Sequence, residues 1–401
     1  MNGLVPLLRQ RGIEAIVVLV HEGGFQSAGL SDINGCDGDL ARTPIADIVA
    51  RLDDAVDLVV TGHTHSAYNC SADTEDVRIL EGVVGSTSRP SGLANAAGRR
   101  VPVTSAGAFG RVLSDIDLML DRRTKDVTSV RARNVLVDRT RPELQAAMAA
   151  DDTVRRLVDA YDGLVAPVAD RIVGSIASDV PNAADAAGNM PAGELVADAQ
   201  LAATAAPEFG GAVIAFMNPG GVRAPGFIHA GETAREGAGN VTYGEAFTVQ
   251  PFGNSLVTLT LTAQQIKHLL EQQFAGCRGQ TTQKILIPSV GFKYAWSAGG
   301  GCDHRVTDVR LVNAQSAVTD QIVDAAGEVL EPAKTYRVTV NSFLVAGGDG
   351  FTTLGEGGAA LGGAQDLDAL VARLENHRPP ARAVYDPAAP ALLKPRIVRI
   401  P

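Results

Sequence analysis

Two short aliphatic runs, each followed by a histidine, constrain the fold of this chain more than any other feature. Residues 16–20 (Ile-Val-Val-Leu-Val) precede His21, and residues 58–60 (Leu-Val-Val) precede the segment Thr-Gly-His-Thr-His at 61–65. Continuous β-branched runs of this length are typical of buried parallel strands in an α/β sheet. Because such sheets place their binding sites at the carboxyl ends of the strands, we expect the histidines at one edge of a sheet.

The histidines predict a metal site. His63 and His65 are two positions apart, so in an extended backbone their side chains project to the same side. Imidazole nitrogens suit zinc, manganese, iron or cobalt, but a hydrolytic centre with two metal ions also needs carboxylates to hold and bridge the ions. Those carboxylates are expected on earlier strands, and the chain has almost no room for earlier strands before residue 16.

The size and charge of the chain argue against several classes of partner. With 401 residues it is long enough for two or three domains, each with its own core. A net charge of −10 argues against nucleic acid or an anionic membrane surface. No apolar stretch reaches the roughly 18 residues that a membrane span needs. Residues 1–10 lack a signal-peptide layout and resemble the middle of a domain, so we expect a misassigned start or a fragment.

The four cysteines fall into two separated pairs without a metal-binding spacing. One interpretation is four buried free thiols. The other is two disulfides, Cys36–Cys70 and Cys277–Cys302, which would imply an oxidising compartment. The sequence leaves both open.

The pattern along the chain predicts two folded regions joined by a helix. Residues 1–125 alternate helical and strand patterns, ending in a strand at 114–120. Apolar residues recur at helical spacing over 141–165, which predicts a connecting helix. A second domain follows, with a helix at 192–206 and strands at 212–217, 255–261 and 335–340. Thr262 and Gln265 form a capping-box pattern that predicts the start of another helix.

Three loops of the second domain carry residue types that suit a nucleotide. The first is residues 218–223, Asn-Pro-Gly-Gly-Val-Arg, directly after an apolar strand. Gly220 and Gly221 let the backbone approach a ligand closely, and the guanidinium of Arg223 can clamp a phosphate or carboxylate. Alone, such a loop is also compatible with a simple turn.

The other two loops supply rings and a carboxylate. Residues 250–254 contain Phe252, and residues 341–351 contain Phe343 and Asp349. Glycines around Asp349 present it to a ligand rather than bury it, and its carboxylate can accept hydrogen bonds from both hydroxyls of a ribose. Stacking of a base on a phenylalanine contributes about 1–3 kcal/mol. Together the loops predict arginine for the phosphate, aspartate for the sugar and two phenylalanines for the base.

These segments resemble the 5'-nucleotidase family, which includes UDP-sugar hydrolases and 2',3'-cyclic phosphodiesterases. The matching segments are LVHEGG at 19–24, TGHTH at 61–65, NPGGVR at 218–223, YGEAFTVQPFGN at 243–254 and NSFLVAGGDGF at 341–351. The resemblance implies a mixed α/β and α+β fold. Residues 1–130 would be the remnant of a four-layer αββα metallophosphoesterase domain, 141–165 a linker helix, and 166–401 a C-terminal substrate-binding domain.

The resemblance also implies an activity and the residues that carry it. It implies a hydrolase of nucleotides in nucleotide catabolism, in the periplasm or outside the cell, with two divalent ions (zinc, manganese or cobalt). His21 and His63 would bind one ion and His65 the other. The implied substrate-binding residues are Asn218, Gly220, Gly221, Arg223, Phe252, Phe343 and Asp349, with Asn218 and Arg223 towards the phosphate.

The chain departs from the family pattern at its start. The family's catalytic domain opens with Asp-x-His, Gly-Asp and Gly-Asn-His-Glu/Asp motifs, and the chain's only Asn-His pair, Asn376-His377, follows Glu375 instead of glycine. The expected catalytic histidine is therefore not identified, and the catalytic site of this chain is predicted to be incomplete. A non-catalytic nucleotide- or nucleoside-binding protein is the alternative, and a structural α/β protein with one stabilising ion ranks last.

Overall fold

The computed structural model describes residues 1–26, 32–36, 40, 43–71, 92–231 and 236–401. The chain divides into two compact units, unit 1 (Met1–Arg155) and unit 2 (Arg156–Pro401). Helices and strands both occur in each unit, so the mixed α/β and α+β class is confirmed. Among the described residues no helix is both long and apolar enough to cross a membrane.

Unit 1 is built on a four-stranded sheet in the order β1-β2-β6-β3. The first three strands of that order run parallel and β3 runs antiparallel to β6, so the predicted parallel pairing of the two aliphatic runs is confirmed. The elements are α1 (Val5–Gln10), β1 (Val17–Leu19), α2 (Pro44–Val49), β2 (Leu58–Val60), β3 (Ala67–Cys70), β4 (Leu93–Ala94), β5 (Arg100–Val101), β6 (Val103–Ala106), β7 (Val112–Leu120), β8 (Val127–Leu136) and α3 (Pro142–Ala150).

Strand β1 is buried on one face only. Val18 is 9% exposed, whereas Val17 is 40% and Leu19 78% exposed. Val18 packs into the same core as Val49 and Val59, and alternate side chains of a strand point to opposite faces. The prediction of a fully buried strand was therefore wrong for β1, because a continuous apolar run does not reveal whether both faces of the strand are covered.

The β7–β8 hairpin is anchored to the sheet of unit 1 by a buried asparagine. The side-chain amide of Asn134 donates to the carbonyl oxygens of Ile33, Tyr68 and Ser105 at 2.7, 3.1 and 2.9 Å. Asn134 is 4% exposed, so its amide would be costly to bury without these acceptors. The strand predicted at 114–120 is confirmed as part of β7.

The segment predicted as one helix at 141–165 forms two helices. Helix α3 ends at Ala150, and α4 (Thr153–Ala169) begins after a break at Asp151. Asp151 has extended backbone angles, and its carboxylate accepts a hydrogen bond from the Thr153 amide at 3.0 Å. An aspartate that accepts the amide two residues on in this way favours a turn over a continued helix, which the apolar periodicity across 141–165 did not show.

Unit 2 contains two larger sheets, in the orders β15-β11-β19-β14-β20 and β18-β17-β16-β21. One core gathers apolar residues from both sheets and α7, and a second core lies among α5, α6, α9 and β9. The elements are β9 (Ile172–Ser175), β10 (Val180–Pro181), α5 (Pro191–Thr204), β11 (Ile214–Met217), β12 (Gly226–Phe227), β13 (Asn240–Thr242), α6 (Tyr243–Val249), β14 (Ser255–Thr262), α7 (Ala263–Glu271), β15 (Ile287–Pro288), β16 (Phe292–Ser297), β17 (Val306–Val312), β18 (Val318–Val323), β19 (Thr335–Asn341), α8 (Ser342–Val345), β20 (Gly358–Gln365), α9 (Asp366–Glu375) and β21 (Ile397–Ile400).

The predicted elements of unit 2 are largely confirmed. Helix α5 and strands β11, β14 and β19 occupy the predicted positions. Thr262 accepts a hydrogen bond from the Gln265 amide at 3.1 Å, and the Gln265 side chain accepts one from the Thr262 amide at 2.9 Å. This reciprocal pair is the predicted capping box, and it starts α7.

Candidate functional site

The topology of unit 2 brings the three predicted loops to one edge of the five-stranded sheet. Strands β11 and β19 are parallel neighbours, so the loops that follow Met217 and Asn341 leave the sheet at the same edge. Strand β14 is antiparallel to β19, with Leu256 opposite Asn341. The loop that precedes β14 therefore enters at that edge too, where open sheets place their ligands.

A chain of side-chain hydrogen bonds ties the first and third loops together. The Asn218 amide donates to Asp349 Oδ2 at 2.7 Å, and the Asn218 oxygen accepts from the Asn341 amide at 3.0 Å. Asn341 also caps α8, because its side-chain oxygen accepts the Leu344 amide at 3.0 Å. Asn218 is 3% and Asn341 1% exposed, so these bonds fix the position of Asp349 from inside the protein.

Asp349 is held in an uncommon backbone conformation. Its φ is 57°, and the flanking Gly347 and Gly350 have φ values of 85° and 82°. Aspartate tolerates the left-handed region better than most residues, and here the turn is supported by the Gln280 amide, which donates to the Asp349 carbonyl at 2.9 Å. A side chain at Gly348 would collide with the Phe343 ring, so this loop requires glycine next to the aspartate.

Lys284 completes the surroundings of Asp349, and the sequence analysis missed it. The Lys284 ammonium lies 2.7 Å from Asp349 Oδ1, and the side chains are 30% and 13% exposed. Lys284 follows Gln-Thr-Thr-Gln, a stretch with no periodicity, glycine loop or charge pattern. No sequence signal could have found it, because its role depends on a contact across 65 residues.

The predicted phosphate and base groups lie side by side. The Arg223 guanidinium is 5.4 Å from the centre of the Phe252 ring, a cation–π distance, and its Nη1 donates to the Gly220 carbonyl at 3.3 Å. A Cβ added at Gly220 would lie 3.8 Å from Asp349 Oδ2, so this glycine sits next to the aspartate. A Cβ at Gly221 would collide with the side chains of Met217 and Asn218, so a larger residue there would have to displace them.

Both predicted stacking rings are accessible to a ligand. Phe252 is 51% and Phe343 41% exposed, although large apolar side chains are usually buried. Phe252 is carried by a loop that Asp366 holds, since the Asn254 amide donates to Asp366 Oδ2 at 3.1 Å and the Asp366 amide donates to the Asn254 carbonyl at 2.8 Å. Burial raises the pKa of the Asp366 carboxyl, and the hydrogen bonds with Asn254 oppose this rise.

A small pocket lies beside the loops that surround Asp349. It has a volume of about 240 Å³, and its lining includes Pro219 of the first loop and Lys284. Asp185, which also lines it, accepts hydrogen bonds from the amides of Ala187, Gly188 and Asn189 in its own turn. Burial alone would raise the pKa of the Asp185 carboxyl, but a hydrogen bond from the Asn189 side-chain amide at 3.0 Å and these backbone amides lower it. The pocket therefore has a negative wall at Asp185 and a positive wall at Lys284.

In unit 1 the structure brings His21 and His63 together. Their ring centres are 5.2 Å apart in an edge-to-face arrangement. The loop after His21 and the loop that carries His63 are joined where the Thr64 hydroxyl donates to the Gly24 carbonyl at 2.9 Å. A Cβ at Gly23 would collide with the carbonyl of Gly62. The loop that carries His63 is also held at Thr61, whose hydroxyl oxygen lies 2.5 Å from the hydroxyl oxygen of the buried Tyr68. Burial raises the pKa of Tyr68 to about 12.

His65 is placed differently from the other two histidines. Its ring packs against Phe109 at 5.1 Å between centres. The argument that His63 and His65 share one side of an extended strand was wrong, because β2 ends at Val60 and both histidines have left-handed φ values, 66° and 58°. All three imidazoles are exposed.

Two neighbouring imidazoles can hold one divalent ion, but they do not make a two-metal centre. Over the described ranges the only group of three histidine, cysteine or acidic donors close enough to share an ion is Cys277, Cys302 and Asp303. Its two sulfurs are joined in a disulfide. The described residues therefore do not fit a two-metal centre by themselves, since among them no carboxylate completes a three-donor group with the histidines to hold and bridge the ions.

Both predicted cysteine pairs form disulfides, Cys36–Cys70 in unit 1 and Cys277–Cys302 in unit 2. The alternative of free thiols is thereby excluded for this structure. The second disulfide encloses the segment that carries Gln280 and Lys284.

Known proteins share this sequence pattern. Residues 169–356 match the family model described as "5'-nucleotidase, C-terminal domain", which covers the three loops. Residues 169–356 therefore carry this C-terminal domain, and the resemblance to the 5'-nucleotidase family is confirmed. The proteins that this chain resembles include the "5'-nucleotidase-related protein" of Glossina morsitans morsitans, which is 26% identical over 83% of this chain and 56% of that protein.

Two further likenesses extend over nearly the whole chain. "Endonuclease YhcR" of Bacillus subtilis (strain 168) is 24% identical over 92% of this chain, which spans 24% of that protein. The crystal structure of the 5'-nucleotidase precursor from Thermus thermophilus has a TM-score of 0.57 at 23% identity, covering 100% of this chain and 66% of that one. The latter supports the two-part 5'-nucleotidase fold, and the chain spans only part of each of these relatives.

Proposed function

We propose that unit 2 binds a nucleotide at the loop edge formed by residues 218–223, 250–254 and 341–351. The observation that carries this proposal is the bond from Asn218 to Asp349, which joins two loops 131 residues apart and presents a carboxylate beside Gly220. Asp349 accepts the ribose hydroxyls, Arg223 binds the phosphate, and the exposed Phe252 and Phe343 stack on the base.

The role of Asn218 needs a refinement within this proposal. Both ends of its amide are engaged inside the protein, with Asp349 and Asn341. An amide nitrogen has two hydrogens, so one remains to reach the phosphate side of a ligand. The main role of Asn218 is therefore to position the carboxylate of Asp349.

We further propose that the chain acts in a metal-dependent phosphoester hydrolase of the 5'-nucleotidase type, in nucleotide catabolism. Residues 1–130 would belong to its metallophosphoesterase domain, 141–165 would link the domains, and 166–401 would bind the substrate. His21 and His63 would ligate one divalent ion and His65 a second, with zinc, manganese or cobalt as the expected metals. The described residues leave the remaining ligands and the catalytic histidine unaccounted for.

A non-catalytic nucleotide-binding protein is the second candidate. It is favoured by one observation: the loop edge of unit 2 is joined by internal hydrogen bonds, whereas in the described part of unit 1 no three histidine, cysteine or acidic donors lie close enough together to share an ion. Both candidate proteins bind a nucleotide, but only the hydrolase would cleave it. The absence of a nucleic-acid partner, which the charge of the chain predicts, stays a prediction.

Export to the periplasm or beyond the cell is proposed for the same protein. Two disulfides form and persist most readily in an oxidising compartment. The family resemblance points the same way, and intact mass before and after reduction would test it. Four free thiols in protein purified from its native compartment would count against export.

Titration of the full chain with AMP, followed by an assay of phosphate release, tests the function. We expect AMP to bind, and release of phosphate in the presence of manganese, zinc or cobalt would establish the hydrolase. Binding without release in any of the three metals would establish the second candidate. The absence of AMP binding would overturn both.

A further inference from the structure

We propose that Lys284 is a specificity-determining residue, which orients Asp349 so that unit 2 binds ribonucleotides in preference to nucleotides that lack the ribose hydroxyls. This inference rests on the nucleotide site proposed above. It names the substrate class by the sugar and gives a role to a lysine outside every motif of the sequence.

The first step of the argument is how the lone pairs of Asp349 are used. An ionised carboxylate has about four lone-pair positions, two on each oxygen. Asn218 occupies one on Oδ2 and Lys284 one on Oδ1, at 2.7 Å each. As far as the described residues go, one position stays open on each oxygen, which matches the two O–H donors of a ribose cis-diol.

The second step is orientation. Asn218 alone would leave the carboxylate free to rotate about its last bond, because a single hydrogen bond fixes one oxygen. Lys284 fixes the other oxygen from a different segment of the chain, with a bond in which both the donor and the acceptor are charged. The plane of the carboxylate is thus set before a ligand arrives, which lowers the ordering cost of binding.

The third step is how the lysine itself is positioned. Residues 277–284 carry both Lys284 and Gln280, and the Gln280 amide donates to the backbone carbonyl of Asp349 at 2.9 Å. The Cys277–Cys302 disulfide anchors the start of this segment, and the Lys284 amide donates to the Gln273 carbonyl at 2.8 Å. One short segment therefore holds Asp349 at its backbone and at its side chain.

The test compares AMP with 2',3'-dideoxy-AMP on the full chain and on Lys284→Met, by titration calorimetry. We expect the substitution to weaken AMP binding roughly tenfold, the equivalent of one charge-assisted hydrogen bond. Binding of the dideoxy nucleotide is expected to stay unchanged, because it makes no bond to Asp349. Lys284→Arg, which keeps a cation, is expected to restore most of the affinity for AMP.

A matched control is Lys334→Met, since Lys334 also pairs with an aspartate, Asp320, at 2.8 Å. Lys334 lies just before β19, roughly 23 Å along the strand from Asn341 at about 3.3 Å per residue. This variant is expected to bind both nucleotides as the unsubstituted protein does.

Two results would overturn the inference alone. Equal losses for both nucleotides in Lys284→Met would mean a contact with the phosphate or a purely structural role. Unchanged binding of AMP would mean that Lys284 does not orient Asp349. If the unsubstituted protein bound no AMP, the proposed function would fail and this inference with it.

Discussion

Two sites were predicted from residues that follow strands: the histidine edge of unit 1 (His21, His63 and His65) and the loop edge of unit 2. The two sites differ in how firmly the structure holds their side chains. The histidine edge brings His21 and His63 into ring contact but leaves the imidazoles exposed. The loop edge holds Asp349 through buried Asn218 and partly buried Lys284. Internal hydrogen bonds position the side chains of the loop edge before a ligand binds. A pair of exposed imidazoles needs further ligands to hold a metal ion firmly.

The chemistry of the donors explains this contrast. Carboxylate, amide and ammonium groups satisfy one another, so Asp349 is held without a ligand. A metal centre needs several ligands held in place, and the described part of unit 1 brings no three histidine, cysteine or acidic donors close enough to share an ion. The loop edge should therefore bind its ligand with the described residues, and the histidine edge should bind an ion weakly.

The largest effect is expected from Asp349→Ala. Loss of two hydrogen bonds to a charged acceptor, each about 1.5 kcal/mol, should weaken AMP binding roughly hundredfold. Titration calorimetry on the full chain measures it. The control is Asp324→Ala, because the carboxylate of Asp324 accepts the amides of Ala326 and Glu328 in its own turn. Similar affinities in both variants would move the sugar site away from Asp349.

A smaller loss is expected from Phe343→Ala. Removal of one stacking ring should cost about 1–3 kcal/mol for AMP, which is roughly tenfold or more. Ribose 5-phosphate has no base and should bind equally to both forms. Phe209→Ala, which removes a ring that is 58% exposed elsewhere in unit 2, is the control. A parallel loss for ribose 5-phosphate would contradict a stacking role.

The histidine edge is tested by His63→Ala. We expect zinc affinity to fall roughly tenfold or more, because loss of a ligand should cost at least as much as loss of an outer-shell partner. Zinc titration of the full chain measures the change, and His304→Ala in unit 2 is the control, since His304 is also exposed. An unchanged zinc affinity would show that His21 and His63 do not share an ion.

The smallest effect is expected from removing a disulfide. Cys277→Ser with Cys302→Ser should weaken AMP binding about threefold, because the segment that holds Asp349 becomes less ordered before binding. The matched pair, Cys36→Ser with Cys70→Ser, should leave AMP affinity unchanged, since that disulfide lies in unit 1. Equal losses from both pairs would point to general destabilisation.

The sequence predicted the parts of the fold that depend on local pattern. A continuous apolar run found β2, alternation found β7, β14 and β19, and the capping box of Thr262 and Gln265 began α7 where expected. The three loops were found because glycines, an arginine and an aspartate follow strands directly. Their meeting at one edge needed the pairing of β11 with β19, which the structure supplied.

What the sequence missed depends on tertiary contacts or on backbone detail. Lys284 and Gln280 hold Asp349 from a stretch without any pattern. The left-handed backbone at His63 and His65 changed which histidines meet, and spacing alone could not reveal it. The exposure of Leu19 likewise depends on what covers the strand.

A crystal structure of the full chain with AMP tests the central claim most directly. We predict the ribose hydroxyls within hydrogen-bonding distance of both oxygens of Asp349, the base between Phe252 and Phe343, and the phosphate towards Arg223. AMP bound elsewhere on unit 2, or bound at this edge with its ribose turned away from Asp349, would contradict the account.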